Sequence, residues 1–374
     1  MEVSRRSFLG GTAAAATCMG IGIENSVAAP SGQFDLSMMM PDGAIRLNFN
    51  ENALGPSSLA IAGAEAGIKE GYRYAIGGFL KPLLAEYHDI DKDWILMGTG
   101  STELQRLAPI SHLQDGGNVV TGTHTWDGGY QVAKNMGREV KHVPLIPEKG
   151  YSFDIDRMMD AVDADTKIFM VVTPNNPTGA VAPYDELKKV ADNLPEGVLF
   201  VIDEAYADYL PDGWKNGLDL IKEGYKNVLI TRTFSKAQAM AGFRVGYGIG
   251  HPDILSKITK FGCGPGSISM VTFGAVQGAL QDIEHTRKSR AHVESCRNYF
   301  ESEAAKLGIT TVAGVPPFIL LEMGDRSDAI VDELKKQKIF INYGRNWGLN
   351  SHIRISYGLK SENEAFFKAF KELI

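Results

Sequence analysis

The stretch Val198-Leu199-Phe200-Val201-Ile202-Asp203-Glu204-Ala205-Tyr206 places five apolar residues directly before a carboxylate. A short apolar run of this kind is typical of a strand that is buried on both faces of a parallel sheet. Open α/β sheets bind their ligands outside the carboxyl ends of such strands. The stretch therefore predicts an α/β fold in which Asp203 lies at a ligand site.

Other strand-like runs recur along the chain, and helical stretches such as 184–193 separate most of them. The runs cover residues 94–97, 118–121, 139–144, 167–172, 227–231 and 245–248. Alternating strands and helices predict a mostly parallel central sheet that is covered by helices on both faces.

The C-terminal part of the chain has a different pattern. A long charged helix is predicted over 282–307, followed by strands at 318–322, 339–343 and 352–357 and helices at 327–337 and 361–373. This order predicts a smaller α+β domain. We expect a leader over 1–29, an N-terminal segment over 30–57 that joins the small domain, a large domain over 58–281 and the small domain over 282–374.

Three further motifs carry chemistry. They are Asn175-Asn176-Pro177-Thr178-Gly179, then Thr233-Phe234-Ser235-Lys236, and then Arg244. Each has an ordinary interpretation when taken alone, as a turn, a surface charge or a helix cap. Together with Asp203 and Tyr206, in this order and at these distances, they resemble fold-type I aminotransferases of class I/II, which depend on pyridoxal phosphate (PLP). The similarity is to the histidinol-phosphate aminotransferase-like branch, and it covers residues 44–374.

The resemblance implies a role for each of these residues. Lys236 would form a Schiff base with the cofactor aldehyde and then move a proton as a general base. Asp203 would pair with the protonated pyridine nitrogen, which keeps the ring an electron sink. Asn176 and Tyr206 would contact the ring hydroxyl. Arg244 would bind the cofactor phosphate, because a planar guanidinium matches a phosphate well.

Further cofactor contacts are expected in a glycine turn that opens a helix, Gly98-Thr99-Gly100-Ser101-Thr102-Glu103. The N–H groups of such a helix start can hold a phosphate. The resemblance assigns Ser101 and Thr102 to the phosphate, includes Thr233 and Ser235 among the cofactor contacts, and stacks Trp126 on the ring.

Two residues are expected to serve the partner subunit and the substrate. In the family a tyrosine from one subunit reaches the cofactor phosphate of the other, which predicts a homodimer, with Tyr74 as the residue and Tyr72 as its rival. Arg354 lies in the apolar run His352-Ile353-Arg354-Ile355-Ser356. It matches the family arginine that binds the substrate α-carboxylate, so the resemblance implies this role for Arg354. An unpaired charge in an apolar strand is costly, which supports a functional role.

The residues that grip the substrate side chain stay open. Histidinol-phosphate enzymes carry a further arginine about a dozen residues before the one that matches Arg354. Asn342 stands near that place here, and Arg345 lies three residues further on. The sequence therefore does not support that substrate. Glu51, His124 and Asp127 are candidates for the side-chain pocket.

The predicted activity is transfer of an α-amino group from an amino acid to a 2-oxo acid. One alternative keeps PLP and uses oxygen, as an amino-acid oxidase or desaturase with arginine as the first candidate, or acts as a lyase or decarboxylase. Another is a binding protein that has lost turnover. Lys236, Asp203 and Arg244 argue against the last alternative, because a protein without turnover has no need of a Schiff-base lysine.

Composition is that of a globular protein. The chain has 374 residues, 44% hydrophobic and 22% charged, and its formal net charge of −7 argues against nucleic acid as a partner. Cys263 and Cys296 belong to no metal-binding motif, so no metal site is predicted, and whether they pair stays open.

The N-terminus begins with Ser4-Arg5-Arg6-Ser7-Phe8-Leu9 and continues with a weakly apolar stretch to Ser26-Val27-Ala28. This order resembles a twin-arginine export signal with a cleavage site near Ala29. The stretch is too short and too mildly apolar for stable insertion into a membrane. We expect a periplasmic or secreted protein.

Overall fold

The computed structural model describes residues 41–75 and 78–374. Residues 43–374 form one compact unit, and its division into a large and a small domain stays a prediction. The proposed export signal lies outside the described residues. In the described ranges, no helix combines the length and the apolar character that crossing a membrane requires.

Thirteen strands occur in the described ranges. They are β1 Ile45–Arg46, β2 Ile95–Gly98, β3 Asn118–Gly122, β4 Val140–Val143, β5 Thr166–Val172, β6 Leu199–Asp203, β7 Val228–Thr233, β8 Gly246–Gly250, β9 Thr311–Ala313, β10 Phe318–Glu322, β11 Ile339–Phe340, β12 Asn342–Tyr343 and β13 His352–Ser356.

Twelve α-helices occur in the same ranges. They are α1 Ser58–Lys69, α2 Leu80–His88, α3 Ser101–His112, α4 Tyr130–Asn135, α5 Ile155–Asp160, α6 Tyr184–Asn193, α7 Gly217–Lys222, α8 Pro252–Thr259, α9 Met270–Gln281, α10 Ile283–Lys306, α11 Ser327–Lys336 and α12 Lys360–Lys371.

The main sheet has seven strands in the order β2-β8-β7-β6-β5-β3-β4. Strands β3 to β7 run parallel to one another, and β8 runs antiparallel to both β7 and β2. The carboxyl ends of β5, β6 and β7 therefore meet at one edge. The predicted mostly parallel sheet is confirmed.

Side chains of the central strand alternate between two apolar layers. On β6, Phe200 and Ile202 belong to one hydrophobic cluster, and Leu199 and Val201 belong to the cluster on the other face. Helices cover both layers, so the strand is buried on both sides. This burial is the reason that the strand reads as a continuous apolar run rather than an alternating one.

The C-terminal part builds a second, antiparallel sheet in the order β12-β13-β10-β9. A third hydrophobic cluster, with side chains from α10, α11 and α12, packs against it. Strand β1 of the N-terminal segment pairs with β11, so this segment contacts the C-terminal part. The single strand that we predicted over 339–343 is two short strands, because the chain changes its pairing partner at Ile341.

Candidate active site

A cavity of about 510 Å³ lies where β6 and β7 end. Eleven of the twelve predicted site residues line it. They are Ser101, Thr102, Trp126, Asn176, Asp203, Tyr206, Thr233, Ser235, Lys236, Arg244 and Arg354. The structure thus brings together residues that are up to 253 positions apart in the sequence (Ser101 and Arg354).

Asp203 is the last residue of β6 and is 2% exposed. Its Oδ1 accepts hydrogen bonds from the Ala205 N–H at 3.1 Å and from the Thr231 hydroxyl at 3.2 Å. Burial raises the pKa of Asp203 to about 6, although these hydrogen bonds lower it. A buried carboxylate of this kind is stabilised by a cationic partner that enters the cavity.

A chain of hydrogen bonds orients this carboxylate. Trp126 Nε1 donates to Gln105 Oε1 at 2.9 Å, and Gln105 Nε2 donates to the Thr231 hydroxyl at 3.1 Å. The Thr231 hydroxyl in turn donates to Asp203. The chain couples the position of the Trp126 indole to that of the Asp203 carboxylate.

Lys236 follows β7, and its amine projects into the cavity. Nζ donates to the carbonyl oxygens of Phe49 at 3.0 Å and of Asn50 at 3.2 Å. Burial, together with the nearby charge of Arg354, lowers the pKa of Lys236 to about 8. A lowered pKa increases the neutral fraction of the amine, which is the nucleophilic form.

The N-terminal segment completes this side of the cavity through Asn50. This residue has a positive φ of 53°, its N–H donates to the Ser356 hydroxyl at 2.8 Å, and its Nδ2 donates to the Tyr206 hydroxyl at 2.8 Å. Asparagine tolerates this left-handed conformation better than most residues. Burial raises the pKa of Tyr206 to about 12, so its hydroxyl stays protonated and can donate a hydrogen bond.

Arg354 lies in the middle of β13 and is buried. Nη1 donates to Asn176 Oδ1 at 2.6 Å and Nη2 donates to the carbonyl of Asn48 at 2.7 Å. The guanidinium carbon lies 4.4 Å from the centre of the Trp347 ring, and Nε is buried without a partner. Burial lowers the pKa of Arg354 to about 10. No carboxylate is bonded to this guanidinium among the described residues, so it can receive an anionic ligand.

The N-terminus of α3 faces Arg244. Helix α3 begins at Ser101 after Gly100, which has a φ of 84°. A Cβ on Gly100 would lie 2.6 Å from Nη2 of Arg244, and a Cβ on Gly246 would lie 2.3 Å from the Ser101 nitrogen. Glycine at position 100 therefore lets Arg244 approach the helix start, and glycine at position 246 lets β8 pack against the Ser101 nitrogen. The free N–H groups of the first helical turn and the guanidinium form a site for an anion.

Several cavity residues had no predicted role. They are Arg46, Asn48, Phe49, Asn50, Gln105, Asn342, Asn346 and Trp347. Gln105 has a weak sequence signal, because it lies one helical turn after Ser101 and therefore on the same face of α3. Of the three candidates for the side-chain pocket, Glu51 lines the cavity, whereas His124 and Asp127 are outside its lining. His124 instead bonds the carbonyl of Trp347 through Nδ1 at 2.6 Å.

Tyr74 is the one predicted site residue outside the cavity lining, and it is 86% exposed. Cys263 is exposed, Cys296 is buried, and both are free thiols. Within residues 41–75 and 78–374, no cluster of His, Cys, Asp and Glu has an arrangement that could hold a metal ion.

Comparison with known proteins identifies the family. Residues 45–370 match the model of the family described as aminotransferase class I and II. The chain belongs to this family. It is a PLP-dependent aminotransferase with the fold-type I architecture that the sequence motifs predicted.

Curated relatives within the family are named histidinol-phosphate aminotransferases. The chain is 33% identical to one from Symbiobacterium thermophilum over 329 residues, which cover 87% of this chain and 90% of that protein. It is 32% identical to histidinol-phosphate aminotransferase 2 from Pseudomonas fluorescens over 345 residues, which cover 89% and 90% of the two chains.

Solved structures of the family have the same fold. Histidinol-phosphate aminotransferase from Sinorhizobium meliloti, crystallised with pyridoxal 5'-phosphate, superposes with a TM-score of 0.82 at 25% identity over 88% of this chain and 92% of that one. Aspartate aminotransferase from Thermus thermophilus superposes with a TM-score of 0.78 at 21% identity over 88% and 92% of the chains, which is a similarity of fold.

Proposed function

We propose that the cavity binds PLP through Lys236 and transfers an amino group from an α-amino acid to a 2-oxo acid. One observation carries the proposal. A lysine with a lowered pKa, a buried carboxylate, an anion site at a helix N-terminus and a buried guanidinium without a carboxylate partner all face one cavity. The lysine, the carboxylate and the anion site suit the aldehyde, the ring nitrogen and the phosphate of PLP. The guanidinium suits the carboxylate of an amino acid.

The phosphate end of the cofactor fits the anion site. Arg244 and the N–H groups of Ser101 and Thr102 supply positive charge and donors there. The Thr233 hydroxyl donates to the Ser235 hydroxyl at 2.9 Å, which leaves the Ser235 O–H as a further donor for the phosphate. Gly100, which has no Cβ, lets the Arg244 guanidinium lie against this helix start.

The ring end fits the buried carboxylate. Asp203 would hold the pyridine nitrogen in its protonated form, and this ion pair offsets the cost of burying the carboxylate. Trp126 would lie against the ring face. Asn176 and Tyr206 would donate hydrogen bonds to the ring hydroxyl.

When bound, PLP supplies an electron-withdrawing ring that weakens the C–H bond of the substrate α-carbon. Nζ of Lys236, once released, accepts the α-proton as a general base. Arg354 holds the α-carboxylate through two N–H groups, which fixes the direction of the C–H bond toward Lys236.

We also propose that the active form is a homodimer. Tyr72 and Tyr74 are highly exposed, as are Ile68 and Phe79 on either side of them. Exposed apolar side chains along one segment are typical of an interface. Tyr74 would donate its hydroxyl to the cofactor phosphate in the partner's site.

The sequence of the leader supports a proposal on the location of the protein. We propose that residues 1–29 direct export by the twin-arginine route, which carries folded proteins, and that the mature enzyme is periplasmic or secreted. PLP is made in the cytosol, so this route would deliver the enzyme already loaded with its cofactor.

Histidinol phosphate, which the relatives' names carry, is not our proposed substrate. Histidinol-phosphate enzymes bind the substrate phosphate with a further arginine. Among the described residues, no second unpaired arginine lies beside Arg354 in the cavity lining. Arg345 is paired with Asp328 and lies over the Tyr343 ring, and it is not part of the cavity lining.

The proposed reaction is tested by incubating the holoenzyme with each of the twenty amino acids, with and without air. We expect at least one amino acid to release one equivalent of 2-oxo acid per subunit under nitrogen, without ammonia or peroxide. The alternative oxidase reaction, which the family comparison does not favour, would instead consume oxygen and release ammonia. That result, with no reaction under nitrogen, would overturn amino transfer.

A further inference from the structure

The charges that line the cavity constrain the substrate beyond its α-amino acid backbone. Among the described lining residues the cations are Arg46, Lys236, Arg244 and Arg354, and the carboxylates are Glu51 and Asp203. In the proposed reaction Lys236 and Asp203 contact the cofactor, Arg244 binds its phosphate, and Arg354 binds the α-carboxylate. Among the lining cations of one subunit, Arg46 is therefore the one that remains for a second anionic group.

Arg46 is already neutralised. Its Nη2 donates to Glu51 Oε1 at 2.8 Å, and the two side chains are 36% and 38% exposed. A half-exposed ion pair of this kind is weak, so a ligand could displace it. A carboxylate that reached Arg46 would, however, lie beside the Glu51 carboxylate. The repulsion between these two negative charges offsets the attraction by Arg46.

The groups around Arg354 are neutral amides and aromatic rings. Asn342 lies opposite Arg354 in the register of β12 and β13, so the two side chains share a face of the sheet. Asn342 Nδ2 donates to the Asn48 carbonyl, which also accepts from Arg354 Nη2. Neutral amides can hydrogen-bond a polar side chain of a substrate, but they do not neutralise an anionic one.

Other cations near the site are engaged elsewhere. Arg73, on the segment that we propose to reach the partner's site, is 3.1 Å from Glu70 and lies over the Tyr72 ring at 4.9 Å. Arg345 pairs with Asp328 outside the cavity. An anion that reached either guanidinium would therefore meet a carboxylate beside it, as at Arg46.

We infer that the site selects substrates whose single negative charge is the α-carboxylate and whose side chain is polar and not anionic. This inference rests on the proposed function and names its substrate class. The same cavity receives the 2-oxo acid in the second half of the reaction, so the amino acceptor is also a monocarboxylate. Glutamate and 2-oxoglutarate are therefore poor substrates.

A pair of unreactive ligands tests the inference without turnover. Succinate and its half-amide, succinamate, have nearly the same shape, but succinate carries the second carboxylate. Binding of each to the holoenzyme is measured by spectral titration or calorimetry. We expect succinamate to bind at least about tenfold more tightly, because the site is built for a neutral hydrogen-bonding group.

Two variants should reduce the difference in affinity between succinamate and succinate, each through a different residue. Asn342→Arg adds a cation beside Arg354, and Glu51→Gln frees the existing cation of Arg46. In either variant we expect the two affinities to come within about threefold of each other. Asn350→Arg is the matched control, since it adds the same charge at an exposed position outside the cavity lining, and it should keep the ratio of the unmodified protein.

Succinate binding as tightly as succinamate to the unmodified holoenzyme would overturn the inference. So would an unchanged ratio in a folded Glu51→Gln variant, which adds no bulk. If neither ligand bound, Arg354 would not be a carboxylate-binding residue, and the inference would be wrong as well. The amino-acid incubation under nitrogen tests amino transfer separately, so failure of the substrate class and failure of the proposed reaction are distinguishable.

Discussion

Nη1 of Arg354 donates to Oδ1 of Asn176 at 2.6 Å, and this hydrogen bond joins strand β13 to the loop that follows β5. Asn176 is also the residue that we assign to the ring hydroxyl of the cofactor. The proposed contact for the substrate carboxylate and a proposed contact for the cofactor are therefore fixed relative to each other. This is the positional accuracy that proton transfer from the α-carbon requires.

Replacement of Arg354 by lysine tests this arrangement. Lysine keeps the charge but loses the two parallel N–H groups and the planar contact with Trp347. We expect kcat/KM for the best amino acid to fall about 10- to 100-fold, mostly through KM, as is typical of lost hydrogen bonds to a charged group. Arg345→Lys, outside the cavity, should change neither constant. An unchanged KM in Arg354→Lys would show that Arg354 does not bind the carboxylate.

Asp203→Asn separates catalysis from stability. The variant keeps an acceptor for the Ala205 N–H and binds PLP, but it no longer favours the protonated pyridine. We expect turnover to fall by at least about a hundredfold, as for loss of one preorganised charge. A rate near that of the unmodified enzyme would mean that Asp203 is a structural residue.

The same variant should stabilise the protein without cofactor. The folded pKa of Asp203, about 6, is above its unfolded value of 3.8, so its stabilising contribution is present below pH 3.8 and is lost as the pH rises through 6. At pH 7.5 the neutral amide therefore removes a cost of up to about 3 kcal/mol. Thermal unfolding of the apoprotein should shift upward by a few degrees.

Glu204→Gln is the contrast, because that carboxylate bonds Arg232 at 2.7 and 2.9 Å in the core. Loss of this buried pair should lower the melting temperature instead. A lower melting temperature for Asp203→Asn at pH 7.5 would contradict the pKa shift that burial produces.

Most of the sheet is predictable from sequence because its strands are buried on both faces and read as apolar runs. The run 198–202 corresponds to Leu199–Asp203 in the structure. The predicted helices at 184–193 and 327–337 correspond to Tyr184–Asn193 and Ser327–Lys336. Strands β1 and β9 are too short to leave such a pattern, and their pairing depends on segments far away in the sequence.

The site is predictable where its residues lie in short motifs at strand ends. Asp203, Lys236 and Asn176 belong to this group. Asn342 and Trp347 do not, because a single polar or aromatic residue outside a motif has no signal until the fold brings it to the cavity. The hydrogen-bond chain through Gln105 is invisible in the sequence for the same reason.

The role of Tyr74 can be tested by mixing two variants, each of which is defective at a different residue of the site. Tyr74→Ala should weaken PLP binding about 10- to 100-fold through loss of a hydrogen bond to the phosphate. Lys236→Ala should be inactive. If Tyr74 serves the partner's site, a mixed dimer regains one complete site, and activity returns on mixing. Absence of rescue in a dimer that exchanges subunits, or an active monomer in sedimentation, would contradict this role.

Export is tested in cells with the full chain. Arg5→Lys together with Arg6→Lys should leave the protein unprocessed in the cytosol, because the twin-arginine route requires the arginine pair. Arg46→Lys, far from the leader, serves as the control for export and should be processed normally. Processing and export of the double variant would exclude the twin-arginine route.

The identity of the lysine that holds the cofactor tests the central claim most directly. The purified holoenzyme is reduced with borohydride, digested, and its peptides are mapped by mass spectrometry. We expect the PLP label on Lys236, no covalent label in Lys236→Ala, and normal labelling in Lys260→Ala, which removes an exposed lysine. A label on any other lysine of the unmodified enzyme, or full labelling of Lys236→Ala, would contradict the account.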